Sequence, residues 1–254
     1  MTKGRRTGAT PTSTNDTLLG GAVTLRQPAD DYRVAIDPVL LAAAVPARDG
    51  DRVLDVGTGV GAAALCLARR VADCRVVGIE LRPELVALAR LNIADNGFAE
   101  RVEAVEGDFS APPESLASGG FDHVMVNPPH LTALASRMPR SAGKRAAQVE
   151  GADGLGTWVD FSLAMVRRRG TVTVVHRADR LDDIVAAFAG RAGGLVVFPL
   201  WPKAGRPAKR VLLRWRHGVA TPARLAPGLV LHEADGGYSA AAERVLRRAA
   251  ALEI

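Results

Sequence analysis

The chain is poor in cysteine, with only Cys66 and Cys74 among 254 residues. Neither has the spacing of a zinc site, and both lie in or beside apolar segments. They read as reduced, buried thiols of a cytosolic protein. No run of 18 or more apolar residues occurs, so no membrane span is expected. The N-terminus lacks the apolar core of a signal peptide. Residues 1–15 are instead rich in Thr, Ser, Gly, Lys and Arg and read as a disordered basic tail. Acidic residues are missing from one long stretch. Between Ile184 and His232 there is no Asp or Glu, whereas Arg191, Lys203, Arg206, Lys209, Arg210, Arg214, Arg216 and Arg224 all fall there. With Trp201 and Trp215 interleaved, this segment suits contact with an RNA backbone; the tryptophans themselves read as packing residues. No internal repeat is present.

A formal charge of +6 and a pI of about 10 favour an anionic partner. The length allows one large α/β domain with extensions and a substantial core. Residues 20–36 read as a hairpin: Ala22–Leu25, a turn around Pro28–Asp31, then Tyr32–Ile36. Asp37 before Pro38 reads as a helix N-cap. From Arg52 onward strands and helices alternate. Strands are expected at Arg52–Val56, Cys74–Ile79, Val102–Val105, Phe121–Val126 and Thr171–Val175. Helices are expected at Gly61–Val71, Pro83–Asn96, Leu155–Arg168 and Asp182–Ala189. Arg167, Arg168 and Arg169 would end the third of these helices, with Gly170 closing it. Strands Gly194–Pro199 and Arg210–Arg216 should pair antiparallel. The expected fold is α/β: a doubly wound, mostly parallel sheet with an antiparallel edge hairpin and an N-terminal hairpin plus helix. The expected division is a tail at 1–15, hairpin and helix at 16–50, core at 51–217 and C-terminal extension at 218–254. The extension, with the run Leu229–Leu231 and a helix from Ser239, reads as an appended hairpin or tail. The stretch 129–153 is long for a loop and carries Arg137, Arg140, Lys144 and Arg145, which marks it as functional or disordered.

Two loops carry the chemistry. The first, Asp55-Val56-Gly57-Thr58-Gly59-Val60-Gly61, follows an apolar strand. Gly57 and Gly59 permit a tight turn and close backbone approach to a ligand; Gly61 permits close helix packing. The spacing Gly-x-Gly-x-Gly is wrong for a pyrophosphate, which argues against a nicotinamide dehydrogenase. A carboxylate at Asp55 instead suits a ligand with a cationic amine and sulfonium. Glu80 ends the next strand, 19 residues after Gly61, where an acidic side chain can accept ribose hydroxyls. Leu81 follows it as a further cofactor contact. Asp108 ends the third strand and could accept from an adenine amine, with Phe109 against the ring.

The second loop is Asn127-Pro128-Pro129-His130 at the end of the fourth strand. The Asn127 side-chain oxygen and the Pro128 carbonyl can converge on one –NH₂ group while the prolines fix the backbone. Accepting both protons aims the nitrogen lone pair at a methyl donor. Together the loops point to S-adenosylmethionine-dependent methyl transfer to nitrogen.

These motifs resemble the Asn-Pro-Pro class of Rossmann-type amino-methyltransferases. The chain over about residues 16–250 is similar to the bacterial tRNA(Val) adenine-N6-methyltransferase family. Weaker marks of that resemblance are Ile36–Leu41, His176–Arg180 and Pro207–Val211. It implies that Asn127, Pro128 and Pro129 meet the substrate amine. It also implies that Gly57, Gly59, Glu80 and Asp108 contact S-adenosylmethionine, that Asp37 lies near it, and that the partner is an RNA, a tRNA in particular. The fourth motif position is usually Tyr or Phe, stacked on a flipped base; here it is His130, whose imidazole can also stack. The same motif would serve a guanine amine in ribosomal RNA or a glutamine amide in a protein. A non-catalytic RNA-binding module that keeps the cofactor fold is the reading from another class, and His130 is the feature favouring it.

Overall fold

The computed structural model describes residues 13–29, 33–109, 111–114, 116–128 and 155–254. Residues 1–12, Pro129 and His130 of the Asn-Pro-Pro-His run, and the long stretch after them lie outside these.

Nine strands form one sheet. Its parallel core comprises β3 (Arg52–Val56), β4 (Arg75–Glu80), β5 (Val102–Glu106), β6 (Phe121–Val126) and β7 (Val166–Arg177). β8 (Ala192–Lys203) and β9 (Arg210–His217) complete the main body. The spatial order is β8-β9-β7-β6-β3-β4-β5, with β9 antiparallel to both neighbours. β3 lies between β4 and β6, so the winding reverses at β3/β6. Ligands of open α/β sheets bind at such a point, beyond the strand carboxyl ends.

Helices cover both faces, as near-continuous apolar parallel strands require. α1 (Asp37–Ala44), α2 (Ala62–Arg70), α3 (Pro83–Asp95) and α6 (Ala240–Arg248) contribute to one core, around Leu40, Leu65, Leu67, Val86 and Leu246. α4 (residues 155–165) and α5 (Leu181–Phe188) contribute to the other, around Leu54, Val124, Phe161, Val172 and Ile184. No helix among the described residues is long and apolar enough to cross a membrane.

Several local expectations need correction. The N-terminal hairpin pairs β1 (Ser13–Leu18) with β2 (Val23–Pro28), so residues 13–15 are strand and not tail. The turn is Leu19–Gly21, where Gly20 and Gly21 take φ of 65° and 96°. Glycine there makes a turn upstream of β2 cheaper than one at Pro28. The free edge of β2 is closed by two asparagines one helical turn apart on α3. Asn92 accepts from Arg26 N (2.7 Å) and donates to Arg26 O (2.9 Å). Asn96 does the same with Thr24, at 2.9 and 2.8 Å. The two side chains stand in for a neighbouring strand, meeting the hydrogen-bonding demand of the edge.

Asp37 is not an N-cap. Ile36 holds that position, and the buried Asp37 carboxylate accepts from Arg210 Nε at 2.9 Å. Arg167–Arg169 do not end a helix. α4 stops at residue 165 and the arginines open β7 across an irregularity in its pairing with β6. Arg169 takes a φ of 65°, and a Cβ on Gly170 would lie 2.5 Å from Asp122 O. Gly170 therefore permits close strand approach and not a helix end. The C-terminal extension is no hairpin. β10 (Arg224–Leu225) and β11 (Leu229–His232) both pair parallel to β8 along its outer edge. Ser239 caps α6, accepting from Ala242 N at 3.1 Å.

Candidate active site

Sheet register gathers the two loops. Val56 pairs with Val126 on one side and Ile79 on the other, and Glu80 pairs with Glu106. Gly57, Glu80, Gly107 and Asn127 therefore leave the sheet along one carboxyl edge. Asn127 is half-buried and Pro128 buried beside the glycine loop.

The loop is held from several directions. Gly57 N and Thr58 N both donate to Ile79 O, at 2.9 and 3.0 Å. Thr58 Oγ1 donates to Asp55 Oδ2 at 2.6 Å. The Glu80 carboxylate accepts from Gly59 N and Arg82 N, each at 3.0 Å, which fixes its direction toward the loop. Asn92 donates to Val60 O at 2.9 Å, so the same asparagine ties the loop to β2. Gly59 takes a φ of 58° and has open space where a side chain would stand. That vacancy in front of a carboxylate, with Leu81 beside it 58% exposed, forms a cradle fit for a nucleoside with a cationic tail.

Asp55 is buried, and burial pushes its carboxyl up to about 6; the Thr58 hydroxyl opposes this and the Glu80 charge adds to it. A cation close by would favour the carboxylate. Gly107 N donates to Glu80 O at 3.0 Å, and a Cβ on Gly107 would meet Pro113 Cδ at 2.8 Å. Beyond it Phe109 packs on Trp158 next to Gly57, and Asp108 forms an isolated bridge with Ala111.

Sequence reasoning missed three contributors. Gly78 on β4 has no room for a side chain, because a Cβ would lie 2.7 Å from the Thr58 side chain. Thr58 itself bridges loop and strand. Trp158 of α4 lies against the crevice: its ring is 4.4 Å from that of Phe109, and a Cβ on Gly57 would fall 2.6 Å from its Cη2. The Gly57 requirement is thus set by an aromatic 101 residues downstream as well as by its φ of 70°. The alternation around residue 158 reads only as a helix, so no local signal marks that contact.

The basic segment divides. Arg214 is part-buried and donates to Ala44 O and Ile254 O, fastening the C-terminus to α1. Arg210 is paired with Asp37. Trp215 is buried and stacks on Phe188 at 4.0 Å, and Trp201 Nε1 donates to Pro227 O at 3.1 Å, so both tryptophans are packing residues. Among the described residues no group of His, Cys, Asp and Glu could hold a metal ion.

Residues 53–154 match the family described as methyltransferase domain. A crystal structure from Agrobacterium tumefaciens, described as a "predicted O-methyltransferase", shares the fold with a TM-score of 0.70 at 24% identity. The match covers 85% of this chain and 98% of that one. Fold and crevice together define a Rossmann-type S-adenosylmethionine-dependent methyltransferase. A protein of Aeromonas hydrophila named tRNA1(Val) (adenine(37)-N6)-methyltransferase is 33% identical over 212 residues, covering 82% of this chain and 85% of that one. The chain belongs to that family. The release factor glutamine methyltransferase of Agrobacterium fabrum is also similar, 31% identical over 180 residues, with 67% of this chain and 61% of that one covered.

Proposed function

We propose that this enzyme methylates N6 of an adenine in the anticodon loop of a tRNA, position 37 by analogy with the Aeromonas hydrophila relative. The observation that carries the reading is the register placing Asn127 and Pro128 beside the glycine loop, in a chain whose relatives bear that name. The reading places the enzyme in the cytoplasm, with its tRNA.

Bound in the crevice, S-adenosylmethionine supplies an electrophilic methyl group on a sulfonium. The chain's own residues do the rest. Glu80 accepts the ribose hydroxyls, Leu81 and Phe109 flank the adenine ring, and Asp108 accepts from its amine. Gly57, Gly59 and Gly61 let the backbone approach the amino-acid tail. The Asn127 side-chain oxygen and the Pro128 carbonyl accept the two protons of the target amine, so its lone pair faces the donor. Positive charge that develops on the nitrogen is then met by two fixed acceptors. No base has to remove a proton beforehand, since the methylated, cationic nitrogen releases one readily to water.

The test is nucleoside mass analysis of tRNA incubated with the protein and labelled cofactor. N6-methyladenosine supports the reading. Label in a release-factor glutamine instead would favour the second reading, which the similarity to the glutamine methyltransferase raises.

Two binding predictions follow from the cofactor roles. Glu80→Ala should weaken S-adenosylhomocysteine binding by about 1.5–3 kcal/mol, the range for hydrogen bonds to a charged acceptor. Undiminished affinity by calorimetry would move the ribose role elsewhere. The second concerns pH. With the Asp55 carboxyl near 6 in the free protein and a cationic amine approaching it, the bound state prefers the carboxylate. Affinity should therefore fall as pH drops through 6, by up to about tenfold between pH 7 and 5. Asp55→Asn should flatten that profile. In the unliganded protein the sign reverses: the folded state keeps the proton between 3.8 and about 6, so this group favours folding at the acid end of that window.

A further inference from the structure

Two stretches singled out in the sequence are 36–41, whose Asp37 the family resemblance puts near the cofactor, and 207–211. They meet in space. Ile36 and Asp37, at the start of α1, line a cavity of about 290 Å³ with Lys209 and Arg210, at the start of β9. Leu200 and Pro202 of β8 and Leu231 and His232 of β11 complete it. The register puts these residues at the same sheet edge as Asn127. Val126 pairs with Val174 of β7, Arg177 of β7 with Arg210, Arg210 with Leu200, and Leu200 with Leu229. The cavity therefore opens beyond the strand carboxyl ends, three strand steps from β6. At the usual interstrand spacing that is about 14 Å across the sheet from β6, and Arg177, the partner of Arg210, lies three residues beyond Val174 along β7.

Its lining is divided by chemistry. Ile36, Leu200, Pro202 and Leu231 line it with apolar surface, and Lys209 and Arg210 bring nitrogen donors to it, with Arg210 Nε already on Asp37. Asp37 does not give the cavity an acidic character, because its carboxylate is paired with Arg210 at 2.9 Å. The His232 ring is held in place by stacking on Tyr238, at 4.8 Å, and by its Nδ1 contact with Gly236 O at 3.1 Å. The surrounding chain from Ile184 to His232 contains no acid. An apolar lining with the Lys209 ammonium beside it fits a base and its phosphate. The volume sits near the lower end of ligand pockets, about 300–1,000 Å³, which suits one nucleotide and no more.

We propose that this cavity is a second nucleotide subsite, which holds a nucleotide of the RNA substrate a few positions away from the methylated base. The single strand would run along the carboxyl edge of the sheet, with the target amine at Asn127 and a flanking nucleotide over β8, β9 and β11. The assignment rests on the RNA-methyltransferase reading above.

The test uses the full chain and an anticodon stem-loop RNA carrying 4-thiouridine at successive loop positions. Lys209→Glu and Ala35→Glu, on two separate segments of the cavity wall, should each weaken RNA binding tenfold or more. S-adenosylhomocysteine affinity should stay unchanged in both. Arg75→Glu, at the amino end of β4 and so on the opposite sheet edge, should bind RNA as wild type does. Irradiation should crosslink one loop position to peptides spanning 35–37, 200–210 or 231–232. Wild-type RNA affinity in both cavity variants, loss of equal size in Arg75→Glu, or crosslinks confined to other peptides would overturn the subsite. If wild type methylates the stem-loop and the cavity variants bind it normally, the subsite fails and the methyltransferase reading stands. If wild type neither binds nor methylates any RNA, that reading fails and takes the subsite with it.

Discussion

Asn127→Ala should lower the single-turnover rate of methyl transfer by ~10²–10³ while leaving cofactor affinity nearly unchanged. The backbone at Asn127 leaves the sheet next to Gly57, yet the assigned partner of its side chain is the substrate amine and not the cofactor. Removing the oxygen leaves one acceptor, the Pro128 carbonyl, for an amine with two protons. The lone pair then loses its fixed direction, and charge on the nitrogen loses half of its compensation. Because the lost contact strengthens only as charge develops, kcat should fall and the RNA KM should change little. Asn127→Asp offers an acceptor of the same shape and should retain more activity than Ala. Full activity in the Ala variant would reduce the Asn-Pro loop to an ordinary turn after β6.

Asn92→Ala should lower stability by about 3–5 kcal/mol, on the scale of 1–3 kcal/mol for each buried polar group left without a partner. Asn92 is 1% exposed and serves three backbone groups: Arg26 N, Arg26 O and Val60 O. The bond to Val60 O is buried and those to Arg26 are part-buried, so truncation leaves all three backbone groups without this partner. A loss of this size is a large share of the 5–15 kcal/mol typical of folded domains, and denaturant unfolding would read it directly. The variant should also bind S-adenosylhomocysteine more weakly, because Val60 belongs to the glycine loop. A midpoint unchanged in urea would show that Asn96 and the β1–β2 pairing suffice to hold the hairpin.

What could be read from the residue order is what local pattern determines. The apolar runs ending at Val56, Glu80, Glu106 and Val126 are strands because each is short, β-branched and closed by glycine, acid or proline. The two loops that follow Val56 and Val126 carry their own backbone instructions, so residue order alone marks them as a candidate site. Contacts set by the far chain were not. Thr58 over Gly78 and Trp158 against Gly57 depend on pairs 20 and 101 residues apart. The hairpin was misplaced because Leu19–Gly21 competes with Pro28 as a turn and only the asparagines of α3 reveal which edge β2 offers. Asp37 looked like a cap because the sequence shows its neighbour Pro38 and hides its partner Arg210.

The antiparallel insertion of β9 has a consequence for synthesis. As the chain leaves the ribosome, β3 to β7 are complete well before residues 210–217 exist. Until then β7, buried from Gly170 to His176 in the finished protein, has one side with every N–H and C=O unpaired. β8 emerges next but cannot serve in place of β9, since the final sheet sets it one strand further out. The nascent protein therefore passes through an interval with an apolar, unpaired edge, the kind of surface that recruits other strands. A chain cut between α5 and β9 should aggregate more than one cut after β9, in which β7 is paired and the open edge is that of β8, which β10 and β11 cover in the finished protein.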